Sequence, residues 1–322
     1  MNNPLLSICI PTYNRAEHLK ETILSIVNQK RFVETNDVEI VISDNNSNDE
    51  TPKIISDFVK IYGEKIRYYK NQSTTLAEIN FEMVLSYGKG IYLKLNNDTL
   101  KHIDGSLDKM IEVINENKTS RNILYFLNGV SKTGGKICYG FDSFIKNVSF
   151  YVTWIAIFGI WREDLTKVKD FSRYANLQLS QTDVMFRIMD YKENVFINND
   201  ILFISIHPNT KGGYDLLTVF LDNYFFLLTE QLNKGKLTNE TFIKEKRKLL
   251  FHFIRPMLAY IKIYPKRYYF ECKKKYERIF NHYKNDLVIF FIFIITYYIS
   301  IPYIYFKIWE IKKFITNKFK KI

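Results

Sequence analysis

Cysteine is nearly absent from this chain: three in 322 residues, at positions 9, 138 and 272. None forms a CxxC pair, which excludes a zinc ribbon and a disulfide framework and fits a reducing cytoplasm. Glycine (12) and proline (7) are scarce too, which excludes a collagen-like or low-complexity chain. Acidic side chains are outnumbered, 34 against 46 Lys and Arg, leaving a net charge of +12. The opening Met1-Asn2-Asn3-Pro4 lacks the basic start and long apolar core of a signal peptide, so an intracellular protein is expected. The sequon at Asn117-Lys118-Thr119 is then expected to be a chance match.

What is present is hydrophobic residue, 47 % of the chain, enough for one large domain with an appendage or for two modest ones. The positive charge calls for an anionic partner: nucleic acid, anionic lipid or a phosphorylated substrate. Much of the excess lies after residue 262, in Lys262, Lys266, Arg267, Lys273 to Lys275 and Lys312 to Lys321. No nucleic-acid-binding module is recognisable, so nucleic acid is not the expected partner.

Along the chain, short apolar runs alternate with helical periodicity. Leu5–Ile10, Val38–Ile42, Ile66–Tyr69 and Ile91–Leu95 read as buried strands, and 15–28, the stretch opened by Thr51-Pro52, and 76–87 read as helices. Further strands are expected near 122–126, 151–160 and 201–206, with a helix at 179–191 and mainly helix after Asp215. Strands alternating with helices imply crossover units and a mainly parallel sheet, whose ligands bind beyond the carboxyl ends of the strands. Polar clusters follow three of these strands: Thr12-Tyr13-Asn14, Asp44 to Asp49, and Asn96-Asn97-Asp98. All three are expected on one rim.

Those clusters carry a resemblance. Ser7-Ile8-Cys9-Ile10-Pro11-Thr12-Tyr13-Asn14-Arg15 resembles the opening strand and turn of glycosyltransferase family 2, which has the GT-A fold. Val41 to Asp49 is similar to that family's second acidic loop, and Leu95-Asn96-Asn97-Asp98-Thr99 stands where its DxD metal motif stands. The resemblance covers roughly residues 5 to 215 and is nearest to enzymes building bacterial capsules and O-antigens. It implies a GT-A nucleotide-sugar-binding α/β domain over 1–215, with a mainly parallel central sheet. A helical extension at 216–284 and a membrane-associating segment at 285–322 would follow.

The resemblance also implies site roles. Asp98 matches the metal-binding acid, for Mn²⁺ or Mg²⁺ on the donor's diphosphate; by itself it could equally be a turn aspartate. Asn96 and Asn97 replace residues that are often acidic, so they bring acceptor oxygens without charge. Pro11, Thr12, Tyr13, Asn14 and Asp44 match nucleotide-contacting positions. Asp183, in Gln181-Thr182-Asp183, matches the general base of an inverting transfer, or else it is a favourable charge at a helix start. His207 is a candidate further metal ligand. Lys211, in Lys211-Gly212-Gly213, would close over the diphosphate on a flexible loop.

The expected function is transfer from a nucleotide-sugar, with UDP favoured by family frequency, to a lipid-linked or polymeric glycan. The cytoplasmic face of the bacterial inner membrane is the expected location. Residues 287–306 are uncharged and would either cross the bilayer or lie at its surface, ahead of a basic tail. A catalytically silent nucleotide-sugar-binding scaffold is the competing expectation, resting on the weakened DxD motif.

Overall fold

Ser7 to Pro11 opens the fold because its side chains are apolar or small enough to be buried on both sheet faces, as a central parallel strand requires. In the computed structural model, which describes residues 3–130, 134–206 and 211–299, this strand is β1 (Leu6–Thr12) and every residue of it is buried. It pairs in parallel with β2 (Val38–Asp44) on one side and β4 (Tyr92–Leu95) on the other, while β3 (Ile66–Lys70) extends the sheet beyond β2. The order is β3-β2-β1-β4-β8, with β8 (Gly159–Trp161) antiparallel at the edge. Gly159 permits that last pairing, since a Cβ there would come within 2.3 Å of the Tyr92 hydroxyl. The GT-A-type α/β expectation, with a mainly parallel sheet, is met.

Helices Ala16–Val27, Thr51–Tyr62 and Ala77–Tyr87 make the crossovers between these strands. Their buried stripes, such as Leu19, Ile23, Ile26 and Val27 of the first, recur at the 3–4-residue spacing of one helix face. Each such side chain is worth about 1.5–3 kcal/mol when fully buried. A second sheet joins β6 (Ile123–Phe126) in parallel to β9 (Asn194–Asn198), which also pairs antiparallel with β7 (Lys136–Tyr139). The Tyr92 hydroxyl donates to the Leu124 carbonyl at 3.1 Å and links the two sheets. β5 (Leu100–His102) and β10 (Phe203–Ser205) form a short antiparallel pair, so the strand expected over 201–206 is present but shorter.

The strand expected over 151–160 is not one. Residues Ser149–Thr153 and Ile155–Ile157 are tight 3₁₀ turns, and only Gly159–Trp161 is extended. Val152, Ala156, Ile157, Phe158 and Ile160 are buried all the same, while Tyr151, Trp154 and Ile155 are half-buried. The 3₁₀ conformation carries the chain along the β4 end, where the Leu95 amide donates to the Phe158 carbonyl at 3.1 Å.

Contacts divide the chain into two compact units: Met1–Pro208 with Leu227–Thr238, and Asn209–Phe226 with Asn239–Ile322. The second contains β11 (Lys211–Asp215), parallel to β12 (Tyr268–Glu271), and helices Asn239–Leu249, Arg255–Ile263 and Lys275–Tyr283. Arg278 binds Asp215 at 2.8 Å and also Asp222, which His282 meets at 2.7 Å. Residues 287–299 are helical, and residues 300–306 of the uncharged stretch lie outside the described residues. Among the described residues no helix is long and apolar enough to cross a membrane.

Candidate active site

The site is built by three loops that leave the carboxyl ends of β1, β2 and β4 and bond to one another. In the first, Asn14 takes a left-handed backbone (φ +50°), as does Asn46 (φ +67°) in the second. Asparagine tolerates that region better than most residues, which suits it to these two positions. The Asn14 amide donates to Ser47 Oγ at 2.8 Å, and the Asn48 amide donates to Asn14 Oδ1 at 2.9 Å. Asp49 joins two helix starts, accepting from the Ala16 amide at 3.0 Å and the Thr51 amide at 3.0 Å. These are N–H groups that a helix leaves unpaired. Burial opposes the charge on Asp49, but the bonds from Thr51 and Ala16 outweigh it and hold its pKa below the usual value.

Asp44 is fully buried, and its two oxygens accept from the Ser47 amide at 2.8 Å and the Tyr68 hydroxyl at 2.7 Å. Desolvation first, and then the bond to Asp44, push the Tyr68 phenol well above its ordinary pKa, so it stays a donor. Pro11 and Thr12 are buried at the end of β1, whereas Tyr13 is 46 % exposed and presents its ring on the rim.

Asp98 is only 3 % exposed and is held by the first loop. Thr12 Oγ1 donates to its Oδ2 at 3.0 Å, and Arg15 Nη1 donates to its Oδ1 at 2.9 Å. Thr22 fixes its backbone carbonyl at 3.0 Å. Of the two asparagines before it, Asn96 is committed: its Oδ1 lies 3.0 Å from His102 Nε2 and its Nδ2 donates to the Asn97 carbonyl at 2.9 Å. Burial above all, with the charge of Lys94, lowers the His102 pKa to about 3, so the imidazole is neutral and Nε2–H is the donor. Asn97 Oδ1 is buried and has no hydrogen-bond partner among the described residues. An orphaned acceptor beside a carboxylate fits a cation that takes one or two protein oxygens and the rest from phosphate and water. Among the described residues no three or more His, Cys, Asp or Glu side chains are grouped so that they could hold a metal ion by themselves.

Asp183 lies in the first turn of helix Ser180–Ile188 and is 1 % exposed. Arg173 meets both its oxygens through Nε, at 3.2 and 3.0 Å, and adds Nη2; Arg187 Nε donates to Oδ2 at 2.9 Å. Its helix is tied to the 3₁₀ segment by Gln181 Nε2, donating to the Thr153 carbonyl at 2.8 Å, and by Thr182 Oγ1, donating to the Val152 carbonyl at 3.2 Å. That segment runs on to Phe158, whose carbonyl accepts from the Leu95 amide at the β4 end. Lys211 belongs to the second unit. Its expected loop is instead the start of β11, where the Lys211 amide donates to the Arg267 carbonyl at 2.7 Å. Gly212 makes this pairing possible, since a Cβ would lie 2.6 Å from the Tyr269 carbonyl carbon. His207 lies outside the described residues.

Two contacts were not assigned from sequence. Arg15 stands inside the quoted motif, yet nothing local to it points at Asp98, 83 residues away. His102 follows the motif on β5 and carries no pattern of its own.

Parallel strands with polar, carboxylate-bearing loops at their carboxyl edge give the chain an α/β fold of GT-A type. The S. aureus protein TarS has this fold: its structure over 1–349 superposes with a TM-score of 0.53 at 15 % identity, covering 80 % of this chain and 73 % of that one. A further TarS structure, in complex with UDP, gives a TM-score of 0.52 at 15 % identity over 80 % and 73 %. Residues 7–143 match the model of Glycosyl transferase family 2. Abequosyltransferase RfbV of Salmonella typhimurium is 36 % identical over 116 residues, 34 % of each chain. GalNAc(5)-diNAcBac-PP-undecaprenol beta-1,3-glucosyltransferase of Campylobacter jejuni is 31 % identical over 114 residues, 35 % of each. The matched stretch is thus about a third of these relatives' length.

Proposed function

We propose that this chain is an inverting glycosyltransferase that moves a sugar from a nucleoside-diphosphate donor to a lipid-linked or polymeric surface glycan. The observation that carries the proposal is the bonding of Thr12 and Arg15 to Asp98, with Asn14 bonded to the loop after Asp44. One rim thereby gathers an exposed aromatic ring, a buried carboxylate for the nucleotide and a second one for the diphosphate side.

In this account Tyr13 stacks on the base, and the Asp44 loop meets base or ribose. A bound Mn²⁺ or Mg²⁺ would supply Lewis-acid stabilisation of the departing diphosphate. Asp98 and the unpartnered Asn97 Oδ1 are the residues that would hold it. Asp183 takes the proton of the acceptor hydroxyl as that oxygen attacks the anomeric carbon from the face opposite the leaving group. Its oxygens are engaged by Arg173 and Arg187 here, so acting as base requires one guanidinium to loosen. The same engagement is what favours the second reading, a nucleotide-sugar-binding scaffold without turnover.

The acceptor class is supported by the relatives' names, one of which contains an undecaprenol-linked diphosphate glycan. A membrane surface as partner is supported by the second unit. There Val288, Phe291, Ile292, Ile295 and Ile299 are exposed on one helix, and Lys273 and Lys274 are exposed nearby in sequence. UDP as the nucleotide, and the cytoplasmic membrane face as location, belong to the same proposal.

The test is transfer of labelled sugar to polyprenyl-diphosphate-linked glycan in membranes, comparing wild type with Asp183→Asn. Loss of general-base catalysis is expected to lower turnover by about 10²–10⁴ with nucleotide affinity kept. Equal turnover in the variant would remove Asp183 as base. Nucleotide binding without turnover in wild type would favour the scaffold.

A further inference from the structure

Arg15 is the one cation paired with Asp98 among the described residues, and the pair is lopsided. The Arg15 side chain is 52 % exposed, while that of Asp98 is 4 % exposed and anchored on its other oxygen by Thr12. A carboxylate this buried needs a partner charge, because an unpaired buried ion is costly. The guanidinium, by contrast, can swing into solvent at small cost. Asp98 is also the single carboxylate of its motif, since Asn96 and Asn97 bring none.

From this asymmetry we propose that Arg15 is a resident countercation that competes with the divalent metal for Asp98 and, once displaced, turns to the donor's diphosphate. The proposal rests on the donor-site reading above and adds a coupling to it. With the donor absent, metal binding must displace Arg15 from Asp98 and finds only one charged ligand. With the donor present, phosphate oxygens complete the metal's shell, and the freed guanidinium gains a phosphate that it can grip with two N–H groups. Metal and nucleotide then strengthen one another, and linkage requires the effect to be mutual. Arg15 is thus a positioning residue in the empty site and a phosphate ligand in the filled one.

The experiment measures free Mn²⁺ by electron paramagnetic resonance in the full chain. Wild type, Arg15→Gln, Arg15→Lys and Asp98→Asn are compared without nucleotide and with UDP, GDP or dTDP. Without nucleotide, Arg15→Gln is expected to bind Mn²⁺ about threefold to fivefold more tightly than wild type, the worth of a half-exposed ion pair. With Mn²⁺ saturating, the same variant is expected to bind the nucleoside diphosphate about tenfold more weakly, for loss of a charge-assisted contact. Arg15→Lys keeps the charge and should stay near wild type in Mn²⁺ affinity, which separates charge competition from damage to the fold. Arg15→Gln binding Mn²⁺ no more tightly than wild type overturns the proposal while leaving the donor site standing. Asp98→Asn binding Mn²⁺ and nucleotide as wild type does overturns the donor-site reading, and the role of Arg15 with it.

Discussion

Lys94 gives the sharpest prediction, because it is a cation sealed into the core two residues before the Asn96 loop. It is 1 % exposed, and its Nζ donates to the Leu95 carbonyl at 3.2 Å and to the Ala156 carbonyl. The Phe203 and Phe126 rings lie 5.1 and 5.9 Å from the charge. Burial lowers its pKa from 10.5 to about 7. Between those two values the unfolded chain binds more protons than the fold, so stability must rise as pH rises through that window. A 3.5-unit window corresponds to about 5 kcal/mol in all, of which about 3 falls between about pH 7 and about pH 9.5. The carbonyls and ring faces offset part of the desolvation, which makes these figures ceilings. Lys94→Met keeps the unbranched bulk and removes the charge. It also strips a donor from two carbonyls, about 1–3 kcal/mol that does not vary with pH. Urea unfolding of both proteins across this range should therefore show wild type gaining on the variant by up to about 3 kcal/mol. Parallel pH profiles would refute the reasoning.

Three other perturbations follow from the same geometry. Tyr13→Ala, at a ring 46 % exposed on the rim, should weaken nucleotide binding about tenfold in calorimetric titration and move stability by less than about 0.5 kcal/mol. His102→Leu should cost about 1–3 kcal/mol in urea, because Asn96 Oδ1 loses its buried donor. Burial also holds the His102 pKa at about 3 instead of 6.5, so wild-type stability falls as pH drops through that interval. By about pH 5 this amounts to about 2 kcal/mol, and the leucine variant should lack it.

The sequence made legible whatever is repeated locally. β1, β2 and β4 are mainly apolar runs, interrupted by Glu39 and Lys94, and the polar residues that stop them are the loops of the site, so Thr12, Asp44 and Asp98 could be placed on one edge before any coordinates. Partners far along the chain were not legible. Arg15 reaches Asp98 and Asn96 reaches His102 through the packing of separate elements, and no spacing in the sequence encodes those meetings. The run 151–160 misled because burial is shared by strands and by buried 3₁₀ turns, and its residues alternate too weakly to separate them. Lys211 and its two glycines looked like a loop. They form a strand because Gly212 lets the Tyr269 backbone approach closely, which is a property of the partner strand. Asp183 was placed at a helix start as expected, but its two arginine partners come from a turn ten residues earlier and from the next helical turn.

The central claim is that the rim of β1, β2 and β4 holds a nucleoside diphosphate with its metal at Asp98. Calorimetric titration with UDP, GDP and dTDP, each with and without Mn²⁺, tests it most directly when wild type is set beside Asp98→Ala. The account predicts binding of one nucleotide that depends on Mn²⁺ and is lost in the variant. Folded wild type that binds none of the three, or a variant that binds as well as wild type, would contradict it.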